Sequence, residues 1–128
     1  MTKAALFAAV SLLVSATAGC SRAADAPAGV VYFTEWSALL DDAARGTIQQ
    51  AATLINKGSA PVTITGYADV TGSTEANRLV STLRAQMVID QLVADGVPAT
   101  RLRRADRGAT PDIGGLNESR RVLISIGQ

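Results

Sequence analysis

The sequence has 128 residues, 12 Lys and Arg against 11 Asp and Glu, no histidine and one cysteine, a length that suits one domain around one core. The balanced charge supplies no electrostatic footprint for nucleic acid, and a lone thiol allows no internal disulfide. Without histidine, a second cysteine or a Gly-x-Ser-x-Gly elbow, the usual general bases, zinc ligands and activated nucleophiles are missing, so no enzyme chemistry, metal or cofactor is expected.

The chain starts "MTKAALFAAVSLLVSATAGC", with one lysine, an uncharged apolar run from Ala4 to Val14 and then small residues. This three-part pattern is that of a secretory leader over residues 1–19. The run is shorter than the roughly 20 apolar residues a membrane span needs. The closing "TAGC" resembles the lipobox of bacterial lipoproteins: Ala18, Gly19 and Cys20 match, and Thr17 stands where Leu or Val is usual. The resemblance implies cleavage before Cys20 and acylation of that residue, with chains such as palmitate. Ser21 in the next position, rather than Asp, resembles the signal for the outer membrane, with the domain facing the periplasm. An ordinary signal-peptidase site after Ala18 or Ala23 is the alternative. Lipidation would mask an unpaired thiol, and several acyl chains give stable anchoring where one is marginal. Removal of the leader takes away only Lys3 and leaves 11 basic and 11 acidic groups.

Residues 20–29 read as a lipidated tether, because "SRAADAPAG" is small, Pro- and Gly-containing and aperiodic. A domain follows over 30–128. "VVYFT" (30–34) is a strand by composition. From Ser37 to Gly58, apolar residues at 40, 44, 48, 51 and 55 keep a helical repeat. Ser37 is the expected N-cap of that helix, with Asp41 and Asp42 in its early turns. "PVTITGYA" (61–68) sets Val62, Ile64 and Gly66 against Thr63, Thr65 and Tyr67, a strand with one buried face. A second helix is expected from Thr74 to Ala94, capped by Ser73 and stopped by Gly96 and Pro98. Its apolar stripe is expected to be Ala76, Leu79, Val80, Leu83 and Met87. "RLRRADRG" and "SRRVLISIG" complete the set as strands, with Arg101, Arg103, Arg104 and Arg107 on a solvated face. The fold class is α+β: a β-α-β-α-β-β two-layer sandwich, with a mixed sheet and two helices on one face.

Chemistry concentrates where the second strand hands over to the second helix. There the first free N–H groups and the positive end of the helix dipole point beyond the strand end. "DVTGS" lies at that junction, with Gly72 allowing close approach and Thr71 and Ser73 adding hydroxyls. Asn77 and Arg84, seven residues apart, share an edge of the helix, which places Arg84 on the border between core and solvent. Asp69 approaches from the strand, and Arg120, in phase with Val122 and Ile124, falls on the helix-bearing face. Side-by-side anion and cation sites suit the head group of a zwitterionic amino acid. An ordinary ion pair, or two solvated residues, accounts for the same spacing.

"YADVTGSTEANRLVSTLRAQMVIDQLVADGV", followed by "GATPDIGGLNESRRVLI", resembles the OmpA-like peptidoglycan-binding domain over about 30–126. In that family the motif aspartate and arginine grip the ammonium and carboxylate of meso-diaminopimelate in the peptide stem of the wall. The resemblance carries these roles to Asp69 and Arg84, with Thr71, Gly72 and Asn77 in the intervening motif and Arg120 and Arg121 as the terminal pair. Departures are Tyr67-Ala68 for His-Thr, Ala76 for an aromatic, Val80 for Leu and Ser119 for Asn; none removes a charged group. The function implied is non-covalent binding of peptidoglycan by an outer-membrane lipoprotein, tethering membrane to wall, with other envelope proteins as further partners. The alternatives are a protein-interaction lipoprotein that has lost wall binding, and a wall hydrolase using Asp69 and Glu75. If Asp69 and Arg84 are ligand contacts, their replacement is expected to weaken wall binding by on the order of 2 kcal/mol while leaving stability nearly unchanged.

Overall fold

The computed structural model describes residues 27–69, 71–109 and 119–127. The expected leader, Cys20, most of the expected tether and residues 110–118 lie outside them. The elements are β1 (Gly29–Tyr32), α1 (Asp42–Ile55), β2 (Val62–Ala68), α2 (Thr74–Ala94), a 3-10 turn (Ala99–Arg101), β3 (Leu102–Ala109) and β4 (Arg121–Ile126). This is the order read from the sequence, with the 3-10 turn added. The sheet runs β1-β4-β2-β3. β3 is parallel to β2, as a strand returning through a crossover helix must be, while β4 inserts antiparallel between β1 and β2.

Both helices cover one face of this mixed sheet. A side chain at Gly29 would meet Ala51 and Thr47 of α1 together with Ile124. Ile124 is paired with Ile64, and Gly66 with Val122, so these residues point to the same side. The core between the layers holds Val31, Ile48, Ile55, Val62, Ile64, Val88, Leu92, Val122 and Ile124, each 1% exposed or less. Alternation in β2 is as expected, with positions 62, 64, 66 and 68 buried and 63, 65 and 67 partly exposed.

α1 begins later than its apolar repeat suggests. Asp41, not Ser37, is the N-cap: its carboxylate accepts the Ala44 N–H at 2.7 Å. Ahead of it the chain leaves helical conformation: Trp36 sits at φ +52°, and the Thr34 and Ser37 carbonyls accept from Arg84. The start of α2 agrees with the sequence, Ser73 accepting the Ala76 N–H.

The face that α2 buries does not agree. Its inner side is Asn77, Ser81, Arg84, Ala85, Val88 and Leu92, whereas Leu79 and Leu83 are 51% and 57% exposed and Met87 37%. The reason lies in β2. Gly66 has no side chain, and the Ser81 carbonyl oxygen occupies the space: a Cβ at Gly66 would lie 2.2 Å from it. Small residues at 81 and 85 let the helix come this close, and that turns its Leu-rich stripe outward. β3 carries a bulge opposite Gly66 and Tyr67, whose partners are Asp106 and Gly108. Arg107 is the extra residue and breaks the alternation expected of the arginines. Arg101 is half-buried, its guanidinium donating to the Ala60 carbonyl, while Arg103, Arg104 and Arg107 are exposed. Among the described residues no helix is long and apolar enough to cross a membrane.

Candidate functional site

Asp69 follows the last residue of β2 and is 5% exposed. One carboxylate oxygen accepts the Thr71 backbone N–H at 3.1 Å and also the Thr71 hydroxyl. The other accepts Nε of Arg120 at 2.6 Å. Burial by itself would raise this carboxyl, but the Thr71 hydroxyl, the Arg120 guanidinium and the Thr71 amide together hold it below its ordinary value. Asp69 is therefore an ionised, nearly enclosed carboxylate. Among the described residues these three bonds are the ones it accepts.

Arg84 occupies a different setting from the one its spacing suggests. It is 1% exposed, inside the core and not at its border. Nε donates to the Ser37 carbonyl at 2.8 Å, Nη2 to Thr34 at 3.0 Å and Nη1 to Tyr67 at 3.3 Å. The guanidinium also lies 5.4 Å from the centre of the Phe33 ring, in cation–π range. Burial lowers its pKa to about 10, with Asp69 opposing that shift and Arg120 adding to it, so it stays charged at neutral pH. A charge this enclosed is tolerated only when its donors are satisfied. Here three of the five N–H donors go to backbone carbonyls among the described residues, and the result is that loop 33–37 is pinned beside the end of β2.

Arg120 is the cation that meets Asp69. Its side chain is 11% exposed, and its Nη2 stands 3.8 Å from Glu35. Asn77 is buried in the first turn of α2, Thr71 is half-buried and Gly72 is exposed with φ +82°. The structure thus gathers Asp69, Thr71, Gly72, Asn77, Arg84 and Arg120 at one end of the β2–α2 unit. Asp69 and Arg84 are not bonded to each other, and the direct ion pair is Asp69–Arg120. An Arg84 bonded to three backbone carbonyls predicts a stability cost on its loss, where its expected place on the border predicted little.

The sequence reading missed loop 33–37, which contributes Phe33, Glu35, Trp36 and the two carbonyls that hold Arg84. Its signal was "YFTEWS", an aromatic-rich stretch in front of the helical repeat. Tyr67 points to the opposite face of the sheet, where it stacks with Arg121 at 4.6 Å.

Known proteins share this architecture. No curated protein matches the sequence. Among solved structures, the peptidoglycan-associated lipoprotein of Burkholderia pseudomallei superposes with a TM-score of 0.70 at 23% identity, over 77% of this chain and 89% of that one. The OmpA-like domain of FopA1 from Francisella tularensis gives 0.68 at 24% identity, over 75% and 68%. The C-terminal domain of Helicobacter pylori MotB gives 0.68 at 22% identity, over 77% and 84%. These likenesses show a shared fold. A match to the model of the OmpA family runs from residue 32 to residue 117, from the end of β1 through the Asp69 turn, α2 and β3, and on that match the chain belongs to the OmpA family.

Proposed function

We propose that the domain binds peptidoglycan non-covalently, taking hold of the zwitterionic head of meso-diaminopimelate in the stem peptide. The observation that carries this reading is the enclosed, ionised Asp69 paired with Arg120 at the open end of β2 and α2. The ionised carboxylate of Asp69 suits an ammonium. The ligand carboxylate falls to Arg120, whose Nη2 lies 3.8 Å from the exposed acid Glu35, a partner that an incoming carboxylate replaces at little cost. Arg84, bonded to three backbone carbonyls, acts by holding loop 33–37 in place, with Thr71 orienting Asp69. Such a site binds and releases; no bond is made or broken. With an acylated Cys20 in the outer membrane, wall binding would tether membrane to sacculus from the periplasmic side. The similarity of fold to a peptidoglycan-associated lipoprotein supports the reading.

Incubation of the domain with purified sacculi, assayed for bound protein and for released muropeptides, is the test. Binding without release is expected, and Asp69→Ala should abolish it. Release would indicate a hydrolase, and absence of binding would leave a protein-interaction role, for which the exposed Leu79 and Leu83 offer surface. Calorimetry should show tighter binding of a diaminopimelate muropeptide than of its lysine counterpart, which lacks the second carboxylate; equal affinities would sink the assignment. Cys20→Ala should release the full chain from membranes, and intact mass should show acyl chains on Cys20.

A further inference from the structure

Trp36 stands at φ +52°, in the left-handed region that a bulky L-residue rarely adopts. Such a conformation persists where the surroundings over-determine it, and it concentrates at ligand clamps. Two contacts hold it here. The carbonyls of Thr34 and Ser37, on either side of it, are both bound by Arg84. The six-membered ring of the indole lies on Gly72, where a Cβ would come within 2.5 Å of Cη2 and 2.9 Å of Cζ2. Yet Trp36 remains 50% exposed. A large apolar ring is thus held rigidly against the turn that carries Asp69, without being buried, and Glu35 beside it reaches toward Arg120.

We propose that Trp36 is a stacking platform for a pyranose ring of the glycan whose peptide is held at Asp69 and Arg120, an inference that rests on the wall-binding reading above. The charged groups of the site serve the ends of an amino acid and offer nothing to the weakly polar C–H face of a sugar. An indole face is flat and electron-rich, and so attracts the slightly positive hydrogens of that face. With two side-chain torsions and a fixed backbone, it loses little entropy on binding. Gly72 is what lets the ring lie this close to the charged pair.

Trp36 is the one tryptophan of the chain, so its emission reports the contact directly. Two probes should be titrated: a disaccharide muropeptide, and the same stem peptide without sugars. Both should bind, the disaccharide form about tenfold more tightly, the scale of one aromatic contact, and only that form should shift the emission to the blue. Trp36→Ala should bring the two affinities together, and Trp36→Phe should keep part of the difference. Equal affinities in the wild type, or the same emission shift with the bare peptide, overturn the platform while leaving wall binding in place. Binding of neither probe overturns both. If Trp36→Ala fails to fold, the two wild-type titrations decide the question.

Discussion

Replacing Arg84 with alanine separates a scaffold role from a ligand contact. The substitution removes a core side chain and takes the guanidinium donor from the Ser37 and Tyr67 carbonyls, while the Thr34 carbonyl keeps the Ser37 N–H. A buried polar group stripped of its partner costs about 1–3 kcal/mol, so two give roughly 2–6 kcal/mol, and the cavity adds to this. Relief from burying the guanidinium offsets several kcal/mol. The net expectation is about 3–5 kcal/mol, against about 0–1 for an exposed ion pair. For a domain of this size that lowers the melting temperature by roughly 15–30 °C. Urea unfolding followed by circular dichroism and by Trp36 emission measures it, since loop 33–37 carries the fluorophore. Arg84→Lys should recover only part of the loss, because a single ammonium cannot meet carbonyls in three places. A melting temperature within about 5 °C of the wild type, together with lost sacculus binding, would show that Arg84 is a ligand contact and that this reasoning is wrong.

Asp69 should make stability depend on acid. Its folded pKa lies below the ordinary 3.8, so its contribution is fully present above the unfolded value and is lost as pH falls through the folded one. The stability gap between the wild type and Asp69→Asn should therefore narrow between about pH 5 and about pH 2 in urea titrations; a constant gap would deny the ionised carboxylate. Gly66→Ala forces a methyl against the Ser81 carbonyl and should cost on the order of 3 kcal/mol, the upper end of overpacking. If calorimetry shows it neutral, α2 does not lie on Gly66. Leu83→Gln, at a side of α2 that is 57% exposed, should change stability by less than about 0.5 kcal/mol. A loss of about 2 kcal/mol or more, as for a core leucine, would restore the Leu-rich stripe to the interior.

Much of this protein is written locally. Alternation in β2 follows from a strand whose successive side chains face opposite sides, and the Ser73 cap and the Gly96–Pro98 stop bound α2 through bonds made within a few residues. The motif positions from Asp69 to Arg84 carry the family resemblance, and the extended match to the OmpA family agrees with it.

Contacts between distant residues decided the rest. Periodicity ranks side chains by hydropathy and so assigns Leu79, Leu83 and Met87 to the core. It has no means of registering that Gly66 leaves room for the Ser81 carbonyl, or that an arginine becomes a core residue once backbone carbonyls satisfy it. Those acceptors are 17, 47 and 50 positions from Arg84. The partner of Asp69 is 51 positions away. The stretch ahead of α1 is likewise held from a distance, its Thr34 and Ser37 carbonyls accepting from Arg84. Strand and helix identities depend on neighbours along the chain. The buried face of α2, the pairing of Asp69 with Arg120 and the raised, half-open Trp36 depend on which carbonyls and which missing side chains meet across the sheet, and those meetings exist only in the folded molecule.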